Sequence, residues 1–156
     1  MRIRALLFRI IYFFVFFGTS TIAGMLIPFL QYKGFDPIQT GSLISLFTLS
    51  GLVGLFSIGY FCDKLKTIKK VLFPSLIITT ITGAIAILFN KGVVFYIGFF
   101  LMGLFNSMLG PLCDSWIMES SDDIKVKFGQ LRAFGSVGWA FGVLIVGFVI
   151  SNLGYK

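Results

Sequence analysis

A carboxylate inside an apolar run is the first residue of this sequence that demands a chemical explanation. Asp114 stands in Gly110-Pro-Leu-Cys-Asp-Ser-Trp-Ile-Met118, several residues before the next polar stretch begins. Hydrocarbon cannot solvate a carboxylate, so such a group faces a cavity or a cation and marks a functional site by default. Arg132, which opens the following apolar run, is the nearest cation able to meet it. A hairpin through Glu119–Gln130 returns the chain antiparallel and sets the two charges at similar depth. In one reading the pair holds a polar solute by charge-assisted hydrogen bonds. In the other both groups lie at the membrane surface, snorkel into water and contribute little. The rarity of ionisable residues within spans favours the first. Trp139 follows Arg132 by seven residues, near the same helix face. Its indole suits stacking on a sugar or nucleoside ring, against the plainer role of a core or interfacial tryptophan.

Other chemistry is missing from the pattern. The chain has no His, the commonest general base, and only two Cys, so neither acid–base catalysis nor a zinc site finds its residues. No phosphate-cradling glycine loop, dinucleotide turn, metalloprotease helix or nucleophile elbow occurs. The sequence therefore reads as a non-enzyme with no cofactor and no metal.

Composition says what must position Asp114 and Arg132. Of 156 residues, 57% are hydrophobic and 12% charged, with 20 Phe and 18 Gly. Soluble domains sit nearer roughly 45–50% and 25%, so the solvent is lipid. Five runs are long enough to cross about 30 Å of hydrocarbon: 6–30, 41–61, 71–89, 93–118 and 131–153. They lack the apolar–polar alternation of a transmembrane barrel strand, which makes the fold class an all-α membrane protein. The connections Gln31–Thr40, Cys62–Lys70, Asn90-Lys91-Gly92 and Glu119–Gln130 are too short to fold as domains. Pro28 and Pro111 fall inside spans, where they mark either a helix lining a cavity or a simple kink. The last span carries Gly135, Gly138, Gly142 and Gly147, a close-packing pattern.

The formal charge of +7 maps onto topology. Arg2, Arg4, Arg9, Lys64, Lys66, Lys69, Lys70, Lys125, Lys127 and Arg132 fall on one side of the spans, and Lys33, Lys91 and Lys156 on the other. The richer side is cytoplasmic, which places the chain in the inner (cytoplasmic) membrane with its N-terminus inside. Cations divided among loops make no basic stripe, so nucleic acid is not a partner. Arg2, Arg4 and Arg9 before Ile-Ile-Tyr-Phe-Phe also imitate a secretory leader, but the apolar stretch is longer than a leader requires, which favours a retained helix. Cys62 and Cys113 read as packing residues in a reducing compartment.

Two stretches resemble the major facilitator superfamily of twelve-helix secondary transporters. Gly59-Tyr-Phe-Cys-Asp63-Lys64-Leu, followed by Lys66, Lys69 and Lys70, looks like the superfamily signature between helices two and three, with Lys66 where the family usually has Gly. The resemblance implies that Gly59, Asp63 and Lys64 belong to a cytoplasmic gate. Pro111-Leu-Cys-Asp114-Ser-Trp and Phe128-Gly129-Gln-Leu-Arg132-Ala-Phe134-Gly135-Ser136-Val-Gly138-Trp139 resemble the lactose permease-like proton symporters. That likeness implies that Asp114 and Arg132 bind substrate and that Trp139 stacks on its ring. Asp114 is one methylene shorter than the Glu of galactoside carriers, and carriers of aromatic acids or nucleosides share a similar framework.

The implied function is proton-coupled symport of a sugar or similar small solute, with protons and the bilayer as further partners. Five spans correspond to a partial N-terminal domain over residues 1–156, and the resemblance implies a missing C-terminal half. In its absence, Thr19, Ser20 and Thr21 of the first span are expected to face lipid. The alternatives are a non-transporting truncated fragment and a small self-associating membrane protein built on the glycine-rich last span.

Overall fold

A computed structural model of the chain describes residues 2–89, 92–120 and 122–154. Asn90, Lys91 and Lys156, read above as a turn and as far-side cations, lie outside the described residues. The elements are α1 (Arg2–Tyr32), α2 (Pro37–Leu65), α3 (Lys69–Leu88), α4 (Val93–Met118), the single turn α5 (Asp122–Lys125) and α6 (Phe128–Leu153). All but α5 are long and apolar enough to cross a membrane. Even α3, with 20 residues, reaches roughly 30 Å at 1.5 Å per residue. The chain is an all-α membrane protein.

The helices overrun the apolar runs that announce them. Hydropathy marks only the part that lipid must surround, whereas local hydrogen bonding decides where a helix starts and stops. Pro37–Thr40, read from sequence as connection, forms the first turn of α2. There Asp36 Oδ1 accepts from the Gln39 backbone N–H at 2.7 Å, and Gln39 Oε1 accepts from the Asp36 N–H at 3.3 Å. This reciprocal capping box, with Pro37 behind it, starts the helix earlier than the hydrophobic pattern does. Between α1 and α2 only residues 33–36 remain. Lys33 there donates to the Ile87 carbonyl at 2.6 Å, placing a cation at the C-terminal end of α3.

At the other end of α2 the chain reverses through Lys66, with φ 51° and ψ 21°. Among the described residues Lys66 is the one non-glycine in the left-handed region, at the position where the family pattern places Gly. Left-handed backbone costs an L-residue roughly 1–2 kcal/mol, and glycine gives back part of that through its freer unfolded chain. Lys66→Gly is therefore expected to stabilise the chain by about 1 kcal/mol. A raised thermal midpoint in detergent checks this; an unchanged or lower midpoint would show that the lysine side chain offsets the strain.

Pro28, Pro74 and Pro111 lie inside α1, α3 and α4, and each helix continues through its proline. Cys113 is a buried free thiol, and Cys62 is half-buried near the end of α2.

The chain divides into two compact units, one of Met1–Tyr32 with Cys113–Lys156 and one of Lys33–Leu112. In the second, α2 and α4 approach until backbone meets backbone. A Cβ on Gly54 would collide with the Leu104 carbonyl oxygen, and one on Gly103 with the Phe47 carbonyl oxygen and the Ser50 hydroxyl. Ser107 Oγ donates to the Gly51 carbonyl at 2.8 Å, so the polar group at this seam is satisfied across it. Phe47, Phe99, Phe95 and Phe35 form a run of ring contacts along the same seam, 5.3–6.1 Å between centroids.

In the first unit α6 lies along α1. The glycine stripe explains the fit, because a Cβ on Gly138 would strike the Phe13 carbonyl oxygen and one on Gly142 the Ser20 hydroxyl. This packing corrects the expectation for the polar triplet of the first span. Thr19 and Ser20 are buried and Thr21 is half-buried. Their hydroxyls donate to the carbonyls of Phe16 and Phe17 at 2.8–3.0 Å. Ser20 fills the hollow left by Gly142, so α6 covers a hydroxyl that the backbone of α1 itself satisfies.

Candidate functional site

The site is built where the end of α4 meets the start of α6 within the first unit. Asp114 precedes the end of α4 by four residues and Arg132 follows the start of α6 by four, so the hairpin holding α5 returns them to one level. Arg132 Nη1 lies 3.6 Å from Asp114 Oδ2. The hairpin carries its own support: Lys125 Nζ sits 3.0 Å from Asp122 Oδ1 within α5.

A residue that the sequence reading passed over completes the arrangement. Tyr12, on α1, donates its phenolic hydroxyl to Asp114 Oδ1 at 2.5 Å. Its side chain is fully buried, stacked on Phe16 with ring centroids 5.7 Å apart. The two oxygens of Asp114 are thus held differently, Oδ1 by a short neutral donor and Oδ2 by a longer contact to a cation. The exposures differ in the same sense: 60% for the Arg132 side chain and 27% for Asp114, against a wholly buried phenol. The phenol is the fixed arm and the guanidinium the accessible one.

Aromatic rings frame the group. Arg132 lies over the Phe128 ring, 5.9 Å from its centroid, and Arg9 over that of Phe134 at 5.2 Å. These contacts let guanidinium groups sit beside apolar surface with part of their charge compensated. The Arg9 Nε is shielded from solvent and has no hydrogen-bond partner among the described residues. Phe8 meets Trp116 edge-to-face at 5.3 Å, closing the α1–α4 contact below Tyr12. Trp139 lies two turns beyond Arg132 on α6, on the flank of the glycine stripe, with 40% of its surface exposed. No ring contact joins it to the acid or the arginine among the described residues; it offers an open indole face.

The second sequence candidate, at the end of α2, is differently made. Gly59, Asp63 and Lys64 are all exposed. A Cβ on Gly59 would meet nothing within 4 Å. Lys64 Nζ lies 3.4 Å from the Tyr60 hydroxyl and 5.6 Å from its ring centroid. No ion pair involves Asp63 among the described residues.

An acid near the end of an apolar helix is thus held by a phenol from α1 and faced by an arginine from α6. Residues 9–156 match the family model of the Major Facilitator Superfamily. The chain belongs to that superfamily. It is a multi-pass membrane protein of a transporter family. Maltose permease of Geobacillus stearothermophilus is 23% identical over 153 residues, covering 97% of this chain and 39% of that protein. The chain thus spans about two-fifths of the length of this superfamily relative. No solved structure matches it.

Of the sequence candidates, Asp114 and Arg132 are brought together, Trp139 makes no ring contact with either among the described residues, and Gly59, Asp63 and Lys64 lie in the other unit. The signal for Tyr12 was available in part. A tyrosine amid Ile-Ile-Tyr-Phe-Phe carries a hydroxyl that needs a partner when buried, but naming that partner requires knowing that α1 lies beside α4 and α6.

Proposed function

We propose that this chain is part of a longer secondary transporter that carries a sugar or similar polyhydroxy solute across the cytoplasmic membrane by proton-coupled symport. The observation that carries this reading is the close approach of Asp114 and Arg132 at matching depth in α4 and α6. A carboxylate and a guanidinium side by side supply an acceptor and several donors, the set that orients a polyol by charge-assisted hydrogen bonds. The exposed face of Trp139 supplies a stacking surface for the apolar side of a sugar ring. The name of the maltose permease relative agrees with a sugar substrate. Gly59, Asp63 and Lys64 would form part of a gate at the cytoplasmic side, and the distribution of cations supports an N-terminus on that side.

Alternating access rocks one repeat against another around a site near the midplane. A partial N-terminal domain supplies one wall of that site, and a C-terminal half supplies the other. The reading frame beyond Lys156 tests this directly: a sixth span and a second set of helices are expected. Vesicles containing the 156-residue chain alone are expected to show no maltose flux, and vesicles containing the longer transporter to accumulate maltose when an inward proton gradient is imposed. Flux through the short chain by itself would overturn the partial-domain reading. Absence of gradient-driven maltose uptake by the longer protein would overturn the symport of this sugar.

A further inference from the structure

The two oxygens of Asp114 are not equivalent, and the difference assigns a role to α1. We propose that Tyr12 is a positioning residue for the solute site: its hydroxyl locks Oδ1 of Asp114 and so fixes Oδ2 as the oxygen presented to Arg132 and to substrate. The proposal rests on the reading that Asp114 and Arg132 contact substrate.

A carboxylate on a short side chain at the end of an apolar helix has several rotamers, and Arg132, 3.6 Å from Oδ2 with 60% of its side chain exposed, is the looser of its two contacts. Tyr12 is suited to select. The ring is wholly buried and stacked on Phe16, so the hydroxyl has little freedom, and it approaches Oδ1 at 2.5 Å. The contact links residues 102 positions apart and places one donor from α1 against an acceptor from α4. With Oδ1 occupied, the carboxylate accepts from substrate chiefly through Oδ2, beside the guanidinium. A hydroxyl entering there can accept a hydrogen bond from Arg132 and donate one to Oδ2 without Asp114 having to turn. The cost of orienting the acid is met before substrate arrives, which is how a preorganised site gains affinity.

Tyr12→Phe removes the hydroxyl and keeps the ring and its stacking. In nanodiscs holding the longer transporter, the Asp114 carboxylate stretch is isolated in the infrared by subtracting the spectrum of Asp114→Asn. Loss of a phenolic donor is expected to shift that band in Tyr12→Phe. Incorporating 3-fluorotyrosine at position 12, a stronger donor, is expected to shift it the opposite way, and this second measurement stands even if Tyr12→Phe does not fold. Maltose is the binding probe, measured by equilibrium dialysis. An affinity about tenfold lower is expected for Tyr12→Phe, the size of one hydrogen bond to a charged group. In the background of Asp114→Asn the same change is expected to have little further effect. A purely structural tyrosine would alter the melting temperature and leave the band where it is. An unmoved carboxylate band, or a shifted band with unchanged maltose affinity, overturns the proposal. If the unmodified protein binds no maltose, the sugar reading fails by itself and the band decides the position of Tyr12.

Discussion

On the proposed reading, Asp114→Asn in the longer transporter is expected to lower maltose affinity about a hundredfold while the protein still inserts. The substitution is nearly isosteric, so the packing at the end of α4 is retained, and the new amide oxygen still accepts from Tyr12. What changes is the charge opposite Arg132, now left with no carboxylate at the 3.6 Å position. Hydrogen bonds to charged groups are worth roughly 1.5–3 kcal/mol, and about 2.7 kcal/mol corresponds to the hundredfold. Arg132→Lys is expected to fall between the native protein and Asp114→Asn. An ammonium restores the charge but not the planar fork of donors. Equilibrium binding with labelled maltose, corrected for protein in the membrane, reads both. Native affinity in Asp114→Asn would remove the acid from the site, and losses confined to protein level would make the pair structural.

The largest expected effect on folding lies at Gly138. Gly138→Val places a branched side chain against the Phe13 main chain, where even a Cβ collides with the carbonyl oxygen. Overpacking a core ordinarily costs about 1–3 kcal/mol because neighbouring side chains can shift. Here the obstacle is backbone, so α1 and α6 must separate along their length and lose their contacts together. The variant is expected not to accumulate in the membrane, or to melt far below the native protein in detergent. Gly18 is the matched control on α1, since a Cβ there meets nothing within 4 Å and Gly18→Ala should be tolerated. Equal behaviour of the two variants would show that the α1–α6 seam tolerates more separation than its backbone contacts suggest.

How much of this was legible without coordinates depends on the range of the interaction. The five spans follow from length and hydropathy, because hydrocarbon imposes both locally. Their ends do not, because Asp36 with Gln39 and the left-handed Lys66 are settled by hydrogen bonding and backbone geometry outside the apolar runs. Asp114 and Arg132 were readable as a pair because a short hairpin fixes their relation within one stretch of chain. Tyr12 was not, since its partner lies 102 residues away and depends on which helix packs on which. The glycine spacing on α6 announced a close contact, but only the structure identifies α1 as the partner and Ser20 as the group seated in the hollow of Gly142.

The glycine seam has a bearing on the chemistry of Asp114. Tyr12 belongs to α1 and Arg132 to α6, and these two helices meet main chain to main chain, with no flexible side chain at Gly138 to absorb displacement. The backbones that carry the phenol and the guanidinium therefore form one stiff ribbon, and the acid on α4 docks between the two side chains. On the proposed reading, a solute at Asp114 could not change the spacing of these two backbone positions by sliding one helix past the other. On that reading, selectivity at this point would be set by a spacing of backbone, with the Arg132 side chain as its adaptable arm. A change of substrate would therefore come from new side chains on the ribbon, with the ribbon itself kept.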